Sequence, residues 1–391
     1  MIQTHKQKSR LSLIVFVGVV LASAFSMPAV SVERARKTDK RHRGPAASIV
    51  HPLNSELLPA LLKKRGYNPG PHFMGLVVAI VPNSKDSFEY YPYDYKRTSL
   101  ERDTWWPAST VKLFAAIAAL EKARHLGFSS RAELTFHYDD GDVTRPLRSI
   151  VEKAITLSNN RSFDKLVEFV GFDGLNKGFF TKKNGFKQTV MLRSYTGRWR
   201  YEDTEHGSNR HSPPITIVGR NGKTLEIEAR HGKGTYDCKD QGNCTTLAEL
   251  SLAMRRVMMH EHLPEGERFF LGKGELALLR YSMKRDRPKG HGGVVTGLEK
   301  AFSDRAVEFY HKGGYAYEWL SDNVFVKALD TGEKWLVALA NHPGRAALDE
   351  AAEHVGHLLA EGAFAKARMD TASTSNKEAK QSTKQCVHAF K

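Results

Sequence analysis

Strand-type runs stand towards both ends of this chain and helical runs fill its middle, an order that few architectures accept. Phe73 to Val81 reads as a buried strand, and Phe88 to Tyr95 as a second one after the turn residues Pro82-Asn83-Ser84. Val307 to Tyr310, Val324 to Leu329 and Lys334 to Ala340 read as three more. Between the two groups, residues 107–198 read as mostly helical, followed by helices over Thr245 to His260 and Gly274 to Arg285. Leu53 to Lys64 has helical periodicity and stops at Arg65-Gly66, and Asp349 to Phe364 is a closing helix. Strands that are distant in sequence but must share a core give an α+β fold class. We expect one antiparallel sheet built from both termini and flanked by helices, with an inserted all-helical lobe. The α/β lobe would span residues 47–106 and 300–368, and the helical lobe 107–299, together one domain over 47–368.

The flanks do not belong to that domain. Lys6, Lys8 and Arg10 precede the apolar stretch Leu11 to Phe25, and Ala22-Ser23-Ala24 offers a small-residue cleavage site. Residues 1–30 therefore read as a secretory signal peptide, and export to the periplasm or the exterior is expected. Fifteen apolar residues are short for a membrane span, so contact with a membrane is expected only through an uncleaved signal. Residues 31–46 are a basic linker and 369–391 a polar, disordered tail.

The net charge of +16 resembles a nucleic-acid signal until it is located. Residues 1–43 contribute +7 and residues 369–391 contribute +2, which leaves +7 spread along the body. With no basic helix and no RNA-binding signature, nucleic acid is not an expected partner. Anionic envelope polymers such as peptidoglycan, and carboxylate-bearing substrates, account for the charge of an exported protein.

Cysteine usage fits an oxidising compartment. Cys238 and Cys244 bracket a turn-prone loop that a local disulfide can close, and Cys386 is left over in the tail. The two cysteines with His231 lack the spacing of a zinc site, so no metal and no cofactor are expected.

The chemistry concentrates in three short motifs. Trp105-Trp106-Pro107-Ala108-Ser109-Thr110-Val111-Lys112 runs into an alanine-rich apolar helix. Residues three apart share a helix face, which puts the Lys112 amine beside the Ser109 hydroxyl. A serine needs an adjacent base to act as a nucleophile, and a desolvated lysine loses its proton readily enough to be one. Ser158-Asn159-Asn160 follows the helical run Ile150 to Leu157, and Lys312-Gly313-Gly314 follows the strand Ala306 to His311. Taken alone, the second motif is explained by a helix N-cap and the third by a bulge or turn. Taken together and in order, the three point to acyl transfer through a serine.

The order S-x-x-K, S-x-N, K-x-G resembles the class A β-lactamase family of penicillin-recognising serine enzymes. The resemblance covers about residues 50 to 365 and implies the α+β plan above. It implies that Ser109 attacks the carbonyl of a β-lactam or D-alanyl peptide and that Lys112 takes the proton, directly or through water. It further implies that Ser158 relays a proton to the leaving nitrogen under the field of Lys312, and that Asn160 binds the substrate amide. The oxyanion would rest on the backbone N–H groups of Ser109 and Tyr315, the latter following Gly314.

Three departures bear on activity. Gly313 stands where the family carries a Thr or Ser hydroxyl that helps bind the substrate carboxylate, and Asn159 stands where aspartate is usual. The family's Glu-x-x-Leu-Asn segment, which supplies the deacylating base, is missing between Leu192 and Thr245. An insertion over about 198–240 takes its place, with a hairpin over Ile215 to Ile227 turning at Asn221-Gly222. Glu202 and Glu205 are the nearest candidates for the base. The expected activity is hydrolysis of β-lactam amides. The alternatives are a D-alanyl-D-alanine peptidase or slow penicillin-binding enzyme, and a non-catalytic envelope binder of the same fold.

Overall fold

The computed structural model describes residues 48–83, 87–196, 210–285 and 293–369. The expected signal segment, the linker, nearly all of the 369–391 tail, and both Glu202 and Glu205 lie outside the described residues. In chain order, β1 (Ile49–Val50), α1 (Leu57–Lys64), β2 (Met74–Pro82) and β3 (Phe88–Asp94) come first. A 3₁₀ turn over Ala108–Val111 leads into α2 (Lys112–His125), followed by β4 (Glu133–Tyr138), β5 (Gly141–Pro146), α3 (Leu147–Thr156) and α4 (Asn160–Val170). The middle continues through β6 (Val190–Met191), β7 (His211–Ser212), β8 (Ile215–Val218), β9 (Thr224–Ile227), β10 (Arg230–His231) and β11 (Asn243–Cys244). Then come α5 (Leu247–Met258), α6 (Lys273–Met283), α7 (Val294–Ala301), β12 (Val307–Ala316), β13 (Trp319–Ala328), β14 (Lys334–Asn341) and α8 (Arg345–Ala360).

The main sheet draws on both ends of the chain, in the order β1-β3-β2-β14-β13-β12. All its pairings are antiparallel except the short β1 against β3. The period of two sorts its side chains into two cores. Met74, Leu76, Val78 and Ile80 of β2 join Leu336, Ala338 and Ala340 of β14 against the inserted lobe. Phe73, Val77 and Ala79, with Trp335, Val337 and Leu339, face α1, α7 and α8. Helix α2 is apolar around most of its circumference, with Leu113 to Ala119 buried throughout, as befits the central helix of the first core.

The inserted lobe is not all helical. It carries a four-stranded sheet, β5-β4-β8-β9, of which β4 and β5 lie in the 107–198 stretch expected to be mostly helical. The cause is local: Leu134 and Phe136 alternate with polar neighbours, and Asp139-Asp140 makes the turn into β5. The hairpin expected over Ile215 to Ile227 forms, with Gly222 at φ 78° in its loop. Its Ile215 and Ile217 are fully buried because β8 adds directly to β4. The α+β plan stands, with a small sheet among the helices of the lobe.

Helices α7 and α8 meet at glycines. A Cβ on Gly297 would lie 2.1 Å from the Asp349 carbonyl oxygen, so the helices can approach this closely only at a residue without a side chain. Gly297→Ala must push them apart, and overpacking of this kind costs about 1–3 kcal/mol. Thermal denaturation should show Gly297→Ala melting several degrees below the wild type, and an unchanged Tm would contradict the packing described.

Candidate active site

The site forms where the 3₁₀ turn ahead of α2, the α3–α4 link and the edge strand β12 converge. Ser109 lies in the turn, preceded by Ala108 at φ 46°. For a residue with a side chain that left-handed backbone costs about 1–2 kcal/mol. The conformation is held by Tyr195, whose hydroxyl donates to the Ala108 carbonyl at 2.5 Å, and by Thr110 Oγ1 donating to the Pro107 carbonyl at 2.5 Å.

The edge strand runs against this turn. A Cβ on Gly314 would fall 2.6 Å from Ser109 N and 2.7 Å from the Pro107 carbonyl oxygen, so only glycine fits. Gly313 and Gly314 pair regularly with Asp322 and Ser321 of β13, which makes Lys312-Gly313-Gly314 a strand rather than a bulge. Tyr315 continues the edge with its ring exposed.

The Ser158-Asn159-Asn160 link divides its work. Asn159 caps α4, its side-chain oxygen accepting from Ser162 N at 2.8 Å. Ser158 takes a left-handed conformation, φ 52°, and presents both its oxygens to lysines. Lys112 Nζ donates to the Ser158 carbonyl at 2.5 Å, to Ser158 Oγ at 3.3 Å and to Asn160 Oδ1 at 2.6 Å. Lys312 Nζ donates to the same Ser158 Oγ at 3.0 Å and to the Gly313 carbonyl at 2.6 Å. Ser109 is not among the partners of Lys112 in this state, although S-x-x-K spacing leads one to expect the pair. The lysine reaches past Ser109 to Ser158. A cavity of about 240 Å³ is lined by Ser109, Ser158, Asn160, Lys312, Gly314 and Tyr315, among others.

The electrostatics suit base catalysis. Lys112 is wholly buried. Loss of hydration, reinforced by the positive charge of Lys312 and opposed by Asp164, brings its pKa down to about 6. Burial brings Lys312 down to about 8, with the Asp322 carboxylate acting the other way. At neutral pH the first amine is free to accept a proton while the second keeps most of its charge.

Sequence reasoning missed four residues here. Asp164, four residues after Asn160 on α4 and so on its face, accepts from Tyr195 N at 2.8 Å and Thr196 N at 3.0 Å, and also from the Thr196 hydroxyl. Burial raises its pKa, the more strongly felt effect against these hydrogen bonds. Tyr195 places its ring centroid 5.4 Å from Lys112 Nζ. His311 and Asp322 form a buried pair, Nδ1 to Oδ2 at 2.8 Å, at the far wall of the cavity. Only the spacing of Asn160 and Asp164 left a signal in the sequence. Cys238 and Cys244 are joined in a disulfide with Cα atoms 5.9 Å apart.

A family model described as the beta-lactamase enzyme family matches residues 95–361. Among solved structures, that of PBP-A is 14% identical with a TM-score of 0.51, covering 80% of this chain and 98% of its own. TLA-3 extended-spectrum beta-lactamase is 14% identical with a TM-score of 0.50, covering 78% and 99%. A beta lactamase from Burkholderia vietnamiensis is 15% identical with a TM-score of 0.50, covering 79% and 97%. At these identities the likeness is one of fold. No curated protein matches the chain.

The two lysines predict a bell-shaped pH profile. kcat/KM for acylation at Ser109 should rise through about 6 as Lys112 loses its proton. It should fall through about 8 as Lys312 loses its charge. Lys312→Arg should retain the acid limb and lose the alkaline one. A profile flat across both limbs would contradict the assignment.

Proposed function

The chain belongs to the beta-lactamase enzyme family, and on that premise we propose that it is an exported serine hydrolase opening β-lactam amides through an acyl-serine. The observation that carries the reading is the shared Ser158 hydroxyl: one oxygen lies between Lys112 and Lys312 in the cleft that Ser109 lines. Ser109 Oγ attacks the lactam carbonyl, and its proton passes to neutral Lys112. The oxyanion is met by the backbone N–H groups of Ser109 and Tyr315, where the edge strand touches the nucleophile's turn. From Lys112 the proton reaches the leaving nitrogen through Ser158, whose hydroxyl is polarised by Lys312. The C–N bond then breaks, the amine stays on the opened ring, and water later cleaves the ester to free Ser109.

The second half of that cycle is the weaker one. Where the chain enters the segment after Leu192, a tyrosine stands beside Lys112 in place of a carboxylate. Asp164, whose charge acts on Lys112, is occupied by three donors from Tyr195 and Thr196, and Asp322 in the cavity wall is held by His311 Nδ1 and Asn323 N. A water therefore lacks an evident base among the described residues. This favours a slow penicillin-binding enzyme or D-alanyl-D-alanine peptidase as the second reading. A variant of the similar PBP-A has been solved as an acyl-enzyme complex with penicillin G, at 12% identity and a TM-score of 0.50.

Incubation with a fluorescent penicillin followed by intact-mass measurement separates the readings. The mass of the drug should add at Ser109, and Ser109→Ala should abolish the adduct while staying folded. Lys112→Ala should slow acylation by about 10²–10⁴-fold, the usual worth of a positioned base. The adduct should accumulate over many minutes. Fast turnover with no detectable adduct would show that a deacylating base exists, and trapping in Glu202→Gln or Glu205→Gln would identify it.

A further inference from the structure

The edge strand β12 meets three features of the cleft in succession. Lys312 Nζ reaches Ser158 Oγ at 3.0 Å, and Gly314 lies against the turn that carries Ser109. Beyond Tyr315 the strand ends at Ala316, and a two-residue loop, Tyr317-Glu318, returns the chain to β13. Both loop residues are left-handed, at φ 50° and 60°, a backbone that favours Asn and Gly. Turn chemistry alone would not select a tyrosine here. The exposed Tyr317 is engaged at both ends: its ring packs on Trp106 with centroids 4.8 Å apart, and its hydroxyl accepts from Arg193 Nη1 at 2.9 Å. The disulfide loop braces both partners. Asn243, beside Cys244, accepts from Arg193 N at 2.9 Å and donates to the Arg193 carbonyl at 3.0 Å. A Cβ on Gly242 would fall 2.5 Å from the Trp106 ring, so the loop lies close on the indole. Glu318 turns to His342 Nε2, 3.6 Å away, and among the described residues no carboxylate pairs with Arg193. A fixed cation therefore stands at the end of the edge strand, held there by a neutral hydroxyl.

We propose that Arg193, fixed by Tyr317 at the end of the edge strand, receives a carboxylate on the acyl side of the substrate, so that the site prefers acyl donors carrying an anionic group there. The inference rests on the acyl-serine reading and narrows its substrate class. An acyl carbon is bonded to the leaving nitrogen on one side and to the rest of the acyl group on the other. With its oxygen between the N–H groups of Ser109 and Tyr315 and its leaving nitrogen towards Ser158 and Lys312, the rest of the acyl group runs along the strand towards Tyr317. Two residues of strand cover about 6–7 Å, the reach of a short side chain. There a carboxylate meets a planar guanidinium, whose forked donors suit two-point recognition. The bond changes are those of the acyl transfer above: Ser109 Oγ bonds to the acyl carbon, the C–N bond breaks, and the serine proton ends on the leaving nitrogen.

Three penicillins built on one nucleus and one phenylacetyl frame test the proposal: benzylpenicillin, carbenicillin with an α-carboxylate, and ampicillin with an α-ammonium. The leaving group, with its own carboxylate, is the same in all three, so only the charge on the acyl side differs. Intact mass at timed intervals gives the rate of adduct formation at Ser109 at neutral pH. The wild type should acylate fastest with carbenicillin, by about fivefold over ampicillin, the upper worth of an exposed ion pair. Arg193→Gln should lower that ratio by about the same factor, and Arg193→Lys should keep part of it. A purely structural role for Arg193 would slow all three penicillins alike and leave the ratio unmoved in the folded variant, which overturns the proposal. Wild-type protein that acylates as fast with ampicillin as with carbenicillin overturns it whether or not the variants fold. Adducts with none of the three would instead defeat the acyl-serine reading, and the inference with it.

Discussion

Holding two lysines against one serine hydroxyl requires removing two ammonium groups from water, and the cleft is organised around that cost. An ion buried in protein loses several kcal/mol of hydration even after the surroundings relax. Lys112 responds by giving up its proton near pH 6, and the neutral amine that remains has two N–H groups for the Ser158 carbonyl and Asn160 Oδ1 and a lone pair on the side of Ser158 Oγ. Lys312 keeps its charge to about 8, helped by Asp322. The unfolded chain holds a proton on Lys112 up to about its ordinary 10.5, whereas the folded chain has released it above about 6. The unfolded state thus binds more protons in that window, and folding stability contributed by this group increases with pH across it. The proposed base and the penalty that folding bears are one property of one side chain.

Backbone strain supplies the rest of the placement. Ala108 and Ser158 both adopt left-handed conformations that glycine would take more easily. Each directs a reacting group: the first sets the turn that carries Ser109, the second aims Ser158 Oγ at both lysines. Tyr195 then links the two, since its hydroxyl donates to the Ala108 carbonyl and its own carbonyl accepts from Asn160 Nδ2, two residues beyond Ser158, at 3.4 Å. The site is fixed by a loop that sequence comparison by motif passes over.

What the sequence made legible follows from what local spacing encodes. The α+β plan could be read because the continuous apolar runs in Met74–Pro82 and Lys334–Asn341 mark strands buried on both faces, between two cores. The three motifs could be read because each is a short run whose side chains act together. The lobe's sheet was missed because Glu133–Tyr138 and Gly141–Pro146 are brief strands with only a short run of alternation, and the further partner, Ile215–Val218, lies some eighty residues on. The place of Asp322 in the cavity wall was invisible as well, since it stands opposite Gly313 and register across a hairpin is not written in composition. Even the Ser109 and Lys112 spacing misled in part, because the Lys112 amine is drawn to the Ser158 carbonyl, Ser158 Oγ and Asn160 Oδ1, partners that lie nearly fifty residues on.

The departures from the family pattern become coherent when they are placed in space. Gly313 removes a hydroxyl, and Asp322 occupies the volume beside it, its carboxylate held by His311 Nδ1 and Asn323 N. Across the cleft, Tyr195 stands by the base, and the carboxylate of Asp164 is spent on holding the loop. On the proposed reading, the first change bears on what binds beside Lys312 and the second on how an acyl-serine is released. Neither touches Ser109, Lys112, Ser158 or Asn160, on which formation of the acyl-serine depends. On the proposed acyl-serine reading, a site that keeps these four residues while changing the wall beside Lys312 and the loop beside Lys112 is arranged for a different substrate or a longer-lived intermediate. A decayed active site would be expected to lose the costly features first, and the two buried lysines and two strained residues are those features.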